Sequence, residues 1–198
     1  MKFSKQEQAL MKKDNSLKKL IISNKHIKVT KPTENYYDSL INLVISQFIS
    51  RSAAISISNK LLLIFDDTVF KEEFFENLTY QQIHMLGLTK NKAKCIKDIT
   101  YNFINEDFSQ KITSLSIHEF DRYFLSIYGL GPWTLNMFKL FSLGDEDIFS
   151  SKDAALRRAM EESGMVILGS DHKDYDLYAK KWKPFRSIAS LHLWRSLD

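Results

Sequence analysis

A chain of 198 residues, 44% apolar and 13% aromatic, is long enough for one compact unit or two small lobes with a buried core. Its single cysteine excludes a disulfide framework and a four-cysteine zinc or iron–sulfur site. The net charge of +4 is uneven: residues 1–31 carry nine lysines against Glu7 and Asp14, a balance of +7, whereas the remainder holds 19 basic and 22 acidic residues, a balance of −3. No stretch approaches the ~20 apolar residues of a membrane span. The lysine-rich start also lacks the apolar segment of a secretion signal, so a cytoplasmic protein with no membrane partner is expected.

In chain order, that start reads either as a solvated, partly frayed helix face or as a basic surface adding attraction for phosphate. Ile27–Val29 is the only alternating segment, too brief to require a sheet. Leu40, Leu43, Val44, Gln47 and Phe48 then recur at helical spacing, as do Ile96, Ile99 and Phe103 further on. Only six glycines and three prolines interrupt this pattern, and an all-α fold follows. In the turn Leu88–Lys92, Lys90 and Lys92, with Lys94 just beyond, are either phosphate contacts or part of an exposed turn. Cys95 reads as a small buried hydrophobe on a helix.

The densest signal lies in residues 116–158. Ser116 and Glu119 have capping-box spacing, and Ile117, Phe120, Phe124 and Ile127 continue a helix toward Gly129. Gly129 and Gly131 admit backbone angles closed to other residues, and Pro132 suits the first turn of a new helix, which Trp133, Met137, Leu140 and Phe141 extend to Gly144. Unpaired N–H groups around such a turn can receive a phosphate oxygen. The acidic loop Asp145–Asp147 leads to Ser150 and Ser151, which are suited to cap a third helix beginning near Asp153.

The hairpin G-L-G-P-W-T at 129–134, with Asp153 twenty positions after Trp133, resembles the signature of the helix-hairpin-helix DNA glycosylase superfamily, in its alkylated-base branch of 3-methyladenine DNA glycosylase II type. Residues 36–54 are similar to that family's early helix, 85–99 to its G-L-x-x-x-K-A turn and 182–197 to its closing helix. The likeness therefore runs from about Lys12 to the end.

The resemblance implies two helical lobes with a cleft between them: residues 35–145, ending in the helix-hairpin-helix, and residues 1–34 with 146–198, carrying a catalytic Asp153. It implies that Gly129, Leu130, Gly131 and Thr134 grip the DNA backbone, with Lys90 and Lys92 adding charge. Trp133 and Trp194 match positions lining a pocket for the extruded base, where flat aromatic faces favour a cationic N-alkylated purine. Met137 stands where larger relatives have a tyrosine, and Phe48 replaces the second residue of a Gln-Gln pair, either as an apolar wedge or as a core phenylalanine. Trp182, Phe185 and His192 read as structural. Bifunctional relatives have a lysine at the place of Trp133 that forms a Schiff base, so a monofunctional enzyme is implied. It would release alkylated purines from double-stranded DNA in base excision repair, as a monomer, with no cofactor and no catalytic metal. A glycosylase for another lesion, such as a deaminated base, and a non-catalytic DNA-binding module are the alternatives.

Overall fold

The structure, a computed structural model, describes residues 3–27 and 32–197. Lys28 and Val29 of the alternating segment lie outside the described residues. Among those described, every regular element is helical: α1 (Lys5–Lys13), α2 (Asn15–Asn24), α3 (Tyr36–Ser46), α4 (Arg51–Phe65), α5 (Glu73–Glu76), α6 (Tyr80–Met85), α7 (Lys90–Asn105), α8 (Phe108–Ser114), α9 (Ile117–Ser126), α10 (Pro132–Phe138), α11 (Ala154–Glu162), α12 (His172–Ala179) and α13 (Arg186–Arg195). A π-helical turn, Lys139–Leu143, follows α10 directly. No helix among these residues is long and apolar enough to cross a membrane. The chain divides into two compact units, Thr33–Phe138 and Met1–Pro32 with Lys139–Asp198. The second boundary thus falls where α10 gives way to the π turn, earlier than the 145/146 division expected from the sequence.

In the unit Thr33–Phe138, the helical periodicity buries one face of each main helix. Leu40, Ile41, Val44 and Ile45 of α3 and Ile96 and Ile99 of α7 have no exposed area. Phe108 is the hub of an aromatic cluster, stacked on Phe103 at 4.4 Å and edge-on to Phe120 and Phe138 at 5.9 and 6.0 Å. The Ser116–Glu119 box forms at the start of α9. Ile117 departs from the expected apolar stripe: it is the first residue of α9, off the packed face, and 72% exposed. The helix expected to run through Gln47 and Phe48 stops at Ser46: Gln47 leaves the helical region with ψ 128°, and Phe48 follows in a turn at φ +60°.

The other unit is built on α1, α2, α11 and α13, with Leu10, Leu17, Ile21, Leu156, Met160 and Leu193 fully buried. Asp14 caps α2 through Ser16 and Leu17 N–H and accepts the indole N–H of the buried Trp182 at 2.8 Å. Glu7, also fully buried, accepts from the Ser4 and Ile27 backbone, and its oxygens meet His26 Nδ1 at 2.8 Å and His192 Nε2 at 3.2 Å. Burial opposes the charge on Glu7, but these bonds, His26 foremost, hold its pKa down to about 2. Burial in turn depresses the pKa of His192. Trp182 and His192 therefore have the structural roles read for them.

Candidate active site

Asp153 is itself the N-cap of α11, a role the sequence reading gave to Ser150 and Ser151. Its Oδ1 accepts Leu156 N–H at 2.9 Å and the indole N–H of Trp194 at 3.1 Å. Aspartate is favoured at a helix N-terminus by capping and by the helix dipole, so α11 places and orients this carboxylate before any ligand arrives. Trp194, half-buried near the end of α13, stacks on Phe141 with centroids 5.9 Å apart and planes 26° from parallel.

The loop before Asp153 is tied down throughout. Arg186 holds the Asp147 carboxylate at 2.7 and 3.0 Å. Ser187 Oγ accepts Ile148 N–H, and Ser190 Oγ donates to the Ile148 carbonyl. The Ser151 carbonyl accepts from Arg157 and His172, each at 2.7 Å. The acidic loop, read in sequence only as a linker, is thus fixed to the helix that carries Trp194. Arg186 and Ser187 gave no local signal of this.

In the other unit the hairpin spans Ile127–Gly131 between α9 and α10. Gly129 has φ +81°, and a Cβ there would lie 2.8 Å from both Cβ and Sγ of Cys95. Tyr128 N–H donates to Asp98 Oδ2 at 2.7 Å. Burial and the Asp98 charge push the Cys95 thiol up to about 12, so it packs as an inert hydrophobe. Gly131 differs: its φ is outside the left-handed region and a Cβ there would meet nothing within 4 Å. The fold requires glycine at 129 and leaves open space at 131.

Three of the expected backbone contacts have groups engaged within the fold. Leu130 is 5% exposed and its N–H is used by the Ile127 carbonyl. Thr134 is 1% exposed, with its hydroxyl facing Gln47 Nε2 at 3.0 Å. Lys92 is buried and donates to the Ile45 carbonyl at 2.6 Å; burial lowers its pKa. A carbonyl in the last turn of α3 has no intrahelical partner, and Lys92 is drawn inward to supply one. Lys90 and Lys94 remain exposed, the latter with its ammonium 5.2 Å from the Tyr80 ring centroid.

Of the base-pocket candidates, Trp133 is half-buried on α10, Met137 is buried, and Phe48 is fully exposed, which removes the core reading of that phenylalanine. Sequence reasoning missed Gln47 as more than a helix marker. Its side chain bonds the Gly129 carbonyl as well as Thr134.

No family model matches the chain. A Bacillus subtilis relative whose name contains DNA-3-methyladenine glycosylase is 26% identical over 170 residues, 82% of this chain and 59% of that protein. The alkylbase DNA glycosidase-like protein mag2 of Schizosaccharomyces pombe is 26% identical over 171 residues, 83% of this chain and 79% of that protein. The chain thus spans less than two thirds of the Bacillus relative's length. Among solved structures, the S. pombe 3-methyladenine DNA glycosylase in complex with abasic DNA superposes with a TM-score of 0.85 at 23% identity, over 98% of this chain and 96% of the other. In sequence and in fold the chain is therefore similar to proteins named as 3-methyladenine and alkylbase DNA glycosylases.

Proposed function

We propose that the protein is a monofunctional DNA glycosylase that hydrolyses the N-glycosidic bond of alkylated purines in duplex DNA, the first step of base excision repair, acting as a cytoplasmic monomer. The observation that carries this reading is Asp153: a carboxylate capping α11 and held on Oδ1 by two N–H donors. It follows in sequence a hairpin whose Gly131 leaves room that the fold does not use.

In the reaction the C1′–N bond breaks with its electron pair leaving on the base, and water forms the new C1′–O bond. Asp153 stabilises the positive charge that develops on the sugar and takes the proton of the attacking water. A base already cationic leaves as a neutral molecule and needs no positioned acid. Trp133 and Trp194 supply aromatic faces for it, and no amine stands at position 133 to trap the sugar. Phe48 enters the stack as the base leaves it. A left-handed phenylalanine costs about 1–3 kcal/mol and its exposed ring forgoes roughly 1.5–3 kcal/mol of burial, so this residue serves something other than the free fold. Gly129 and Gly131, with Lys90 alongside, hold the phosphates.

The test is release of labelled bases from methylated DNA beside duplexes containing hypoxanthine and other lesions, with Asp153→Asn in parallel. Release of 3-methyladenine by the wild type and its abolition in Asp153→Asn, with DNA affinity kept, are expected. Release of neutral bases alone would redirect the substrate assignment, and DNA binding without release of any base would leave only a binding module. Borohydride during turnover should trap no enzyme–DNA adduct, and robust trapping would refute the monofunctional mechanism.

A further inference from the structure

We infer that Gln47 is a positioning residue that ties the Phe48 wedge to the phosphate-gripping hairpin, so that both engage DNA as one part; this rests on the glycosylase reading above. Gln47 follows the last residue of α3, and its amide nitrogen donates to the Gly129 carbonyl at 3.1 Å and to Thr134 Oγ1 at 3.0 Å. One partner lies at the hairpin tip and the other in the first turn of α10. A single NH2 group has two hydrogens, and here both are committed to the hairpin.

The two sides of this link are themselves anchored. On the hairpin side, Gly129 sits against Cys95 and Tyr128 N–H is held by Asp98. On the α3 side, the buried Lys92 ammonium holds the Ile45 carbonyl at 2.6 Å. Phe48, the next residue after Gln47, is 102% exposed at φ +60° and has no packing of its own to keep it there. Its backbone is strained and its ring is solvated, and the turn around it is closed only by a long Ile49 N–H to Ser46 carbonyl bond of 3.4 Å, so loss of the Gln47 link loosens the segment and the ring loses its fixed height beside the hairpin. Glutamine fits by length and by donors. Asparagine is a methylene short, and glutamate sets a carboxylate against the Gly129 carbonyl.

The experiment compares Gln47→Ala, Gln47→Glu, Phe48→Ala and the Gln47→Ala/Phe48→Ala pair. Each is measured by single-turnover base release, by fluorescence of 2-aminopurine beside the lesion, which reports unstacking without chemistry, by affinity for undamaged duplex, and by thermal melting. Misplacing an engaged group by about 1 Å costs up to about 100-fold in rate, so Gln47→Ala and Phe48→Ala should each slow release and reduce unstacking by about tenfold or more. The pair should be no slower than the worse single variant, because both remove one placed ring. Affinity for undamaged duplex should stay near wild type, each variant should still melt cooperatively as a folded protein, and Thr134→Val, which removes one of the two acceptors, should fall between.

The inference is overturned if Gln47→Ala unstacks 2-aminopurine as the wild type does, or if the pair loses the product of the two single effects. It is overturned equally if Phe48→Ala is silent while Gln47→Ala is impaired. A wild type that unstacks the lesion but releases no base would refute the catalytic reading while leaving these comparisons valid. A wild type that does neither would refute both.

Discussion

Trp194 was identified from sequence as a wall of the base pocket, but in the structure its indole N–H donates to Asp153 Oδ1 at 3.1 Å. Replacing Trp194 by Phe removes this donor while keeping an aromatic ring over Phe141, 5.9 Å away. Hydrogen bonds to charged groups contribute about 1.5–3 kcal/mol, and Trp194 is only half-buried, so the lower end applies. About 1.5 kcal/mol corresponds to roughly tenfold in rate. Because the loss passes through the carboxylate, it should be the same for cationic 3-methyladenine and neutral hypoxanthine. Trp194→Ala should add a further loss of about 0.5–2 kcal/mol on the cationic base alone. Single-turnover excision of both lesions by wild type, Trp194→Phe and Trp194→Ala, each shown to be folded, measures the two contributions separately. A wild-type rate in Trp194→Phe, or a Trp194→Phe loss confined to the cationic base, would refute the argument that the indole acts on Asp153.

The hairpin glycines should behave oppositely. Gly129→Ala places a Cβ 2.8 Å from Cys95 at φ +81° and should lower stability by about 2–4 kcal/mol, whereas Gly131→Ala should leave the urea midpoint nearly unchanged and weaken DNA binding; equal stability losses would contradict this. Trp182→Ala empties a fully buried site and removes the indole donor to Asp14, so about 3–5 kcal/mol should be lost, and a melting point near wild type would exclude that role. Acid should destabilise the protein in two stages of the same sign. His192 is held below its ordinary value, so the unfolded chain takes up its proton first and stability declines as pH falls through about 6.5. Glu7 is held at about 2, so its contribution is complete above the ordinary carboxylate range and is lost as pH falls from there toward 2. Urea midpoints measured between neutral pH and pH 3 test both stages, and Glu7→Gln should remove the lower one.

Helical class and hairpin were legible because their signals are local. A 3.6-residue apolar period names a buried face without knowledge of its partner, and Gly129, Gly131 and Pro132 are read from backbone constraints that side chains elsewhere cannot alter. Asp153 entered as a candidate only through the family resemblance, which its place twenty positions after Trp133 fits. The links that fix the candidate site were not. Gln47 meets residues more than eighty positions away, His192 meets Glu7 across nearly the whole chain, and Arg186 of α13 reaches back to Asp147 in the acidic loop. A polar residue seeking a distant partner leaves no periodicity. Lys92, in a run of alternating lysines, had the pattern of a solvated face and was drawn inward by an unpaired carbonyl at the end of α3.

Residues of one type divide in this protein between those the fold consumes and those it leaves available. Gly129 is required by its φ and by Cys95, while Gly131 is required by nothing within 4 Å. Lys92 is bound to a carbonyl, while Lys90 is exposed. Trp182 is sealed against Asp14, while Trp194 keeps part of its ring open and spends its N–H on Asp153. Phe103, Phe120, Phe124 and Phe138 are packed around Phe108, while Phe48 stands fully in solvent on strained backbone. Groups that the fold's own packing leaves uncovered can meet a ligand, and those uncovered here suit DNA: space and charge for a phosphate, the open part of an aromatic face for a base, and an apolar ring for the gap in the stack.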